Sequence, residues 1–173
     1  MPINIEIKAR DRNPTKTRSL AEQLSDRPVV TAEQHDTFFV CSNGRLKLRE
    51  VSPNEGELIF YSRPDVASAK QSEYYITRVS SPEKLAPVLA AALGAWQTVS
   101  KTRVLFQVGQ TRIHLDSVAG LGSFVELEVV LREGQPAQEG YRIVRELMGK
   151  LGIHDEDLVD CAYVDLLART HDG

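Results

Sequence analysis

The chain has 173 residues, 24 acidic and 21 basic, with a formal charge of −3, enough length for one unit spanning 1–173 with a sizeable core. That charge argues against a protein wrapped in nucleic acid, and the longest apolar run, LAPVLAAALGAW, is too short to span a bilayer. The N-terminal MPINIEIKAR has charges where a signal peptide needs an apolar block, so the expected location is cytoplasmic, with Cys41 and Cys161 as reduced thiols and neither membrane nor nucleic acid as partner.

In chain order, INIEIKAR alternates, with Ile3, Ile5 and Ile7 on one face and Asn4, Glu6, Lys8 and Arg10 on the other, as a half-buried strand does. An amphipathic helix is expected over Thr15 to Asp26. GRLKLRE then sets Leu46 and Leu48 opposite Arg45, Lys47 and Arg49, and ELIFYSRP sets Leu58 and Phe60 against Tyr61 and Arg63. A second helix runs from Ser81, placed as N-cap before Pro82, to Gly94. SKTRVLFQV places Val104, Phe106 and Val108 against Lys101 and Arg103, and TRIHLDSV places Ile113 and Leu115 against Arg112, His114 and Asp116. FVELEVVL carries Glu126 and Glu128 on one face, and helices follow over about 136–151 and about 156–168.

The apolar stripes of the helices need a partner, and the aliphatic faces of the strands are the only large apolar surface available. An α+β fold follows, with a largely antiparallel sheet covered by helices on one side. Its charged side faces either water, in an open sheet, or the interior of a sheet curled shut, which would be a tunnel lined with charge. The charges are sorted by strand: Lys47 with Arg49 and Lys101 with Arg103 are basic, while Glu126 and Glu128 are acidic. Surface strands interleave signs, because like charges side by side are destabilising. Sorting therefore points to a ligand with its own charge pattern. A polyphosphate with a divalent cation has one, its oxygens needing Lys and Arg donors while the hard cation needs one or two carboxylates. No GxxxxGK[ST] loop is present, and His35, His114, His154 and His171 show no zinc spacing. His114 alone lies on a charged face, suited to a hydrogen-bonding wall position or to proton transfer.

NIEIKAR, KLRE, FYSRPD, KTR, RIHLDSVAGLGSFVELEV and AYVDLL, in that order and spacing, make the chain resemble the CYTH superfamily of triphosphate tunnel metalloenzymes, and most its class IV adenylyl cyclase branch. The resemblance implies a closed or nearly closed eight-stranded antiparallel barrel with helices outside, and Mg²⁺- or Mn²⁺-dependent chemistry on a triphosphate. It implies Glu6, Glu126, Glu128 and Asp116 as metal ligands. Lys8, Lys47, Arg49, Arg63, Lys101, Arg103 and Arg112 become the phosphate track, with Lys8, Arg63 and Arg112 catalytic. The family signature Glu-x-Glu-x-Lys reads Asn4-x-Glu6-x-Lys8 here, which removes one acid from the metal site. Implied activities are an adenylyl cyclase acting on ATP, a triphosphatase acting on inorganic triphosphate, thiamine triphosphate or a nucleoside triphosphate, or a non-catalytic binding module. A homodimer fits the family.

Overall fold

The computed structural model describes residues 2–171, so residues 1, 172 and 173 of the expected unit lie outside the described residues. Its strands are β1 (Ile3–Arg10), β2 (Val30–Phe39), β3 (Arg45–Ser52), β4 (Glu55–Ser62), β5 (Lys70–Val79), β6 (Ala95–Val108), β7 (Thr111–Val118) and β8 (Gly122–Val130). Every neighbouring pair is antiparallel, and the ring β1-β5-β4-β3-β2-β6-β7-β8 closes where β8 pairs with β1. The helices are α1 (Pro14–Leu24), α2 (Pro82–Leu93), α3 (Ala137–Leu151) and α4 (Tyr163–His171). The expected closed barrel with helices outside is therefore present, and closure removes the open-sheet alternative.

The core lies outside the barrel. Ile5, Ile7, Phe106, Ile113, Leu127 and Val129, the apolar parity of β1, β6, β7 and β8, are buried against Val144, Leu147, Met148 and Leu151 of α3 and Ala21 of α1. Alternation gives each strand one apolar and one polar face, so covering the apolar face with helices turns the charged face inward. Helix α3 sits so close to β1 that a Cβ at Gly140 would come within 2.5 Å of Ile5 Cγ1. It ends at Gly152, whose φ of 70° is a left-handed cap that glycine adopts without strain.

The structure adds to the expected elements and corrects them. Strands β2 and β5 have no counterpart among the predicted segments. On β2, Thr31, Glu33 and His35 are exposed outside and alternate with Gln34 and Asp36 inside, so no apolar period marks that part of the strand. The helix expected over about 156–168 is interrupted. A 3₁₀ turn at Asp155–Asp157 is followed by an extended stretch before α4. In that stretch Leu158 bridges to Ala9, and the Val159 N–H donates to the Lys8 carbonyl at 2.8 Å. Strand β6 also starts at Ala95, ahead of the predicted Ser100.

This C-terminal stretch crosses one end of the barrel and touches strands around the ring. Beyond the Lys8 contact on β1, Lys70 of β5 donates to the Asp160 carbonyl at 3.4 Å. Arg45 of β3 donates to Asp165 at 2.7 Å, and the Tyr163 hydroxyl donates to Asp116 of β7 at 2.8 Å. Phe38, Val99, Val118 and Phe124 pack with Tyr163 and Val164 beneath it as a second apolar cluster. The opposite end is open, and Val30 and Ile76 there are 54% and 48% exposed. Among the described residues no helix is long and apolar enough to cross a membrane, and both cysteines are free.

Candidate active site

Closure encloses a chamber of about 340 Å³. Glu6, Lys8, Lys47, Arg49, Arg63, Lys101, Arg103, Arg112, Glu126 and Glu128, scattered through the sequence, all line it. Asp116 does not. It is buried behind the wall, where Arg103 Nε and Nη2 donate to it at 2.7 and 2.6 Å beside the Tyr163 hydroxyl. In that position it orients the Arg103 guanidinium.

The acidic wall is built by β1 and β8. Their register sets Glu6 opposite Glu128 and Lys8 opposite Glu126, so three carboxylates share one patch. Each is neutralised by a neighbour. Arg63 pairs with Glu6, Lys8 Nζ lies 3.2 Å from Glu126, Arg103 Nη2 donates to Glu126 at 2.8 Å, and Arg112 Nε donates to Glu128 at 2.9 Å. Burial and the two neighbouring glutamates push the Glu6 carboxyl above its usual range, against the pull of Arg63. Glu126 is held well below that range: burial opposes, and Lys8 and Arg103 prevail. Burial likewise opposes the low value of Glu128, which His114 and Arg112 favour. The His114 imidazole is itself pushed down by burial and Arg103, which leaves Arg112 as the cation beside Glu128 at neutral pH. His114 Nε2 lies 3.3 Å from Glu128 Oε2 but out of line for a hydrogen bond.

The basic wall lies across the chamber, on β3 and β6 with β2 between them; β2 stands diametrically opposite β1 in the ring. Its centre is Asp36, an acid absent from the predicted site. Lys47 Nζ donates to it at 2.9 Å, Arg49 at 2.8 and 2.9 Å through Nε and Nη2, and Lys101 Nζ at 3.3 Å. Burial would raise the Asp36 carboxyl, but Lys47, Lys101 and Arg49 together hold it well below the usual range. Burial and the crowding of like charge lower Lys101 to about 7 and Lys47 to about 8, even with Asp36 supporting them. These lysines are thus poised to gain or lose charge near neutral pH.

Sequence reasoning also missed Tyr163. Its ring lies 3.7 Å from Lys8 Nζ, packs edge-on against Phe124 at 4.9 Å between centroids, and caps the closed end of the chamber. Asn4 sits where the family pattern has an acid. Its Oδ1 is buried and has no hydrogen-bond partner. As the side chains stand, no group of three His, Cys, Asp or Glu among the described residues converges to hold an ion. The donor set nevertheless fits a hard divalent cation, since it offers carboxylate oxygens at Glu6, Glu126 and Glu128 beside the unpaired Asn4 carbonyl oxygen.

A closed antiparallel barrel with opposed acidic and basic inner walls defines a charged-tunnel protein. The chain belongs to the CYTH domain family, whose model matches residues 2–163. Similar solved structures include a protein from Pyrococcus horikoshii OT3 with a TM-score of 0.83 at 22% identity, covering 94% of this chain and 98% of that one. A candidate adenylate cyclase from Vibrio parahaemolyticus has a TM-score of 0.77 at 18% identity, covering 96% and 98%. A candidate adenylyl cyclase from Hippeastrum, described as revealing a dominant triphosphatase activity, has a TM-score of 0.66 at 18% identity, covering 97% and 96%. No curated protein sequence matches the chain.

Proposed function

We propose that the chamber binds a triphosphate together with Mg²⁺ or Mn²⁺ and cleaves it, with an adenylyl cyclase-type reaction converting ATP to cyclic AMP and pyrophosphate. The observation that carries this reading is the division of charge: carboxylates on β1 and β8 face Lys47, Arg49 and Lys101 across one enclosed space, with Arg103 reaching Glu126 between the two walls. Glu6, Glu126 and Glu128, with Asn4 Oδ1, would hold the cation. Bound there, it would polarise phosphate oxygens and relieve the repulsion that raises Glu6.

The chain's own residues bind and orient. Lys47, Arg49, Lys101 and Arg103 take the phosphate oxygens, the arginines through planar forks and the lysines as point charges. Asp36 and Asp116 hold those cations in place before the substrate arrives, which lowers the reorganisation needed at the reaction. Lys8, Arg63 and Arg112 stand at the acidic wall, where they stabilise charge growing on the leaving group. In the cyclase reaction the ribose 3′-oxygen bonds to the α-phosphorus, the bond from that phosphorus to the bridging oxygen breaks, and pyrophosphate leaves. The hydroxyl proton passes to water.

Hydrolysis is the second reading, and the triphosphatase activity stated for the Hippeastrum relative favours it. In it, water attacks the terminal phosphorus of inorganic triphosphate, thiamine triphosphate or a nucleoside triphosphate on the same walls. Incubation with ATP and, separately, with inorganic triphosphate in Mg²⁺ or Mn²⁺, followed by phosphorus NMR, tests both. Pyrophosphate with cyclic AMP supports the cyclase, and orthophosphate supports the triphosphatase. Absence of turnover with either substrate would sink both readings.

A further inference from the structure

Asn4 is not the only buried polar side chain of the chamber without a partner. His114 is 5% exposed and lines the same space, yet neither of its ring nitrogens has a hydrogen-bond partner. It stands opposite Glu126 in the β7–β8 register, and its Nε2 lies 3.3 Å from Glu128 Oε2, so the imidazole is placed against both glutamates of β8. A polar ring buried in this way gives up its bonds to water and receives nothing in exchange.

The separation from Glu128 carries chemical information. Two donors bound side by side to one octahedral ion, each at about 2.1 Å and at right angles, stand about 3.0 Å apart. The observed 3.3 Å is close to that edge, and the two atoms are out of line for a hydrogen bond that would otherwise account for it. Arg112 Nε donates to the same oxygen and takes one of its lone pairs, which leaves another for an ion. A nitrogen donor also changes which ion fits. Mg²⁺ is a hard ion that takes oxygen, whereas imidazole suits first-row transition ions, and the neutral amide at Asn4 removes a charge on which a hard ion depends.

Resting on the reading above that the acidic wall holds a divalent cation, we propose that His114 is a nitrogen ligand of that cation beside Glu128, and that it makes the site select Mn²⁺ over Mg²⁺. The acids implied by the family signature do not include this donor. It comes from β7, a strand that otherwise contributes only Arg112 to the chamber lining.

The test is pulsed electron paramagnetic resonance of Mn²⁺ on the whole chain, with and without the bis-methylene analogue of inorganic triphosphate, using protein whose histidines alone carry the heavy nitrogen isotope. A coordinated imidazole gives a coupling between that nitrogen and the Mn²⁺ spin, which an ion held by oxygen alone lacks. His114→Gln, which keeps a polar side chain on β7, should abolish the coupling and weaken Mn²⁺ binding by about tenfold in calorimetry, with Mg²⁺ affinity changed by less than about twofold. His35→Gln, at an exposed residue whose ring meets Ser100 outside the barrel, serves as the control and should change neither the coupling nor the affinities. The wild-type spectrum decides the assignment even where a variant does not fold. Mn²⁺ bound without histidine coupling, coupling that survives His114→Gln, or an equal loss of both ions in that variant would overturn the ligand assignment while leaving the triphosphate reading standing. Failure of both ions to bind the wild type, with the analogue present or absent, would overturn the two together.

Discussion

Asp36→Asn removes the one negative charge that Lys47, Arg49 and Lys101 share, and the structure sets the size of the effect. Asp36 is 1% exposed and accepts from all three cations. Removing one partner of a buried ion pair costs about 3–5 kcal/mol, because the remaining charge is left uncompensated. Here the lower end applies, since Lys101 at about 7 and Lys47 at about 8 can shed protons instead of staying charged. A loss of about 3 kcal/mol in a chain of this size corresponds to a melting temperature lower by about 6–12 °C. Circular dichroism melts at neutral pH give the shift. Inorganic triphosphate should restore much of it, because its oxygens take over the role of the lost carboxylate. Adding Lys101→Met to Asp36→Asn should also recover stability, by replacing an orphaned buried cation with an apolar side chain. The contribution of Asp36 is present above the ordinary carboxylate value of 3.8 and is lost as pH falls through its depressed folded value. A melt within about 1 °C of wild type, unmoved by the second substitution, would refute the view of Asp36 as the keystone of the basic wall.

The same lysines make triphosphate binding pH-dependent: affinity should fall as pH rises from about 7 to about 9, with proton uptake on binding seen by calorimetry in buffers of different ionisation enthalpy. In the free chain the sign is reversed, because the unfolded Lys101 titrates at 10.5 and the folded one at about 7, so its contribution to stability rises with pH between those values. Glu128→Gln should abolish metal-dependent turnover, measured by product release, while the melt without metal stays at or slightly above wild type, since Arg112 is partly exposed and can be solvated. Gly140→Ala should cost about 1–3 kcal/mol in urea unfolding, because its Cβ would meet Ile5 Cγ1 at 2.5 Å and Leu131 Cδ2 at 2.9 Å and force β1 and α3 apart.

What the sequence reveals of this fold depends on which strands a helix covers. β1, β6, β7 and β8 lie under α1 and α3, so Ile5, Phe106, Ile113 and Leu127 mark one face and leave the charged parity legible. The middle of β2 is wet outside at Glu33 and His35 and polar inside at Gln34 and Asp36, and the period-2 signal vanishes there with the apolar face. Asp36 was lost with it: in TAEQHDTFF nothing separates the buried acid from the exposed Glu33 three residues earlier. Tyr163 was hidden for another reason. As part of an amphipathic helix it reads as core, and it does pack on Phe124, yet its hydroxyl reaches Asp116 behind the wall of the site. Sorting of charge by strand, by contrast, is a property of the chain alone. It survives in the sequence on β3, β6 and β8, whose inward charged residues each carry one sign.

The ion pairs of the chamber bear on how it takes a ligand. Glu6, Glu126 and Glu128 are closed by Arg63, Lys8, Arg103 and Arg112, and the basic wall is closed by Asp36. The carboxylates of the free chamber are therefore already paired, so a cation would not meet bare charge; it would exchange one set of pairs for another. A cation arriving alone would have to release Arg63 from Glu6 and leave its guanidinium unpaired in a buried place, which is costly. A triphosphate arriving alone would draw the same cations away and leave Glu6 and Glu128 facing each other. Arriving together under the proposed function, the cation would take the carboxylates and the phosphates the released guanidinium groups, so the groups exchanged would keep partners. By linkage each ligand then raises the affinity of the other by the same factor. The unpaired Asn4 oxygen fits this exchange: it is a buried acceptor on the acidic wall that no side chain of the free chamber satisfies. Asn4 in place of the family's first acid leaves the acidic wall with one charge fewer to neutralise when the chamber is empty, and would leave one charge fewer for holding a cation under the proposed function.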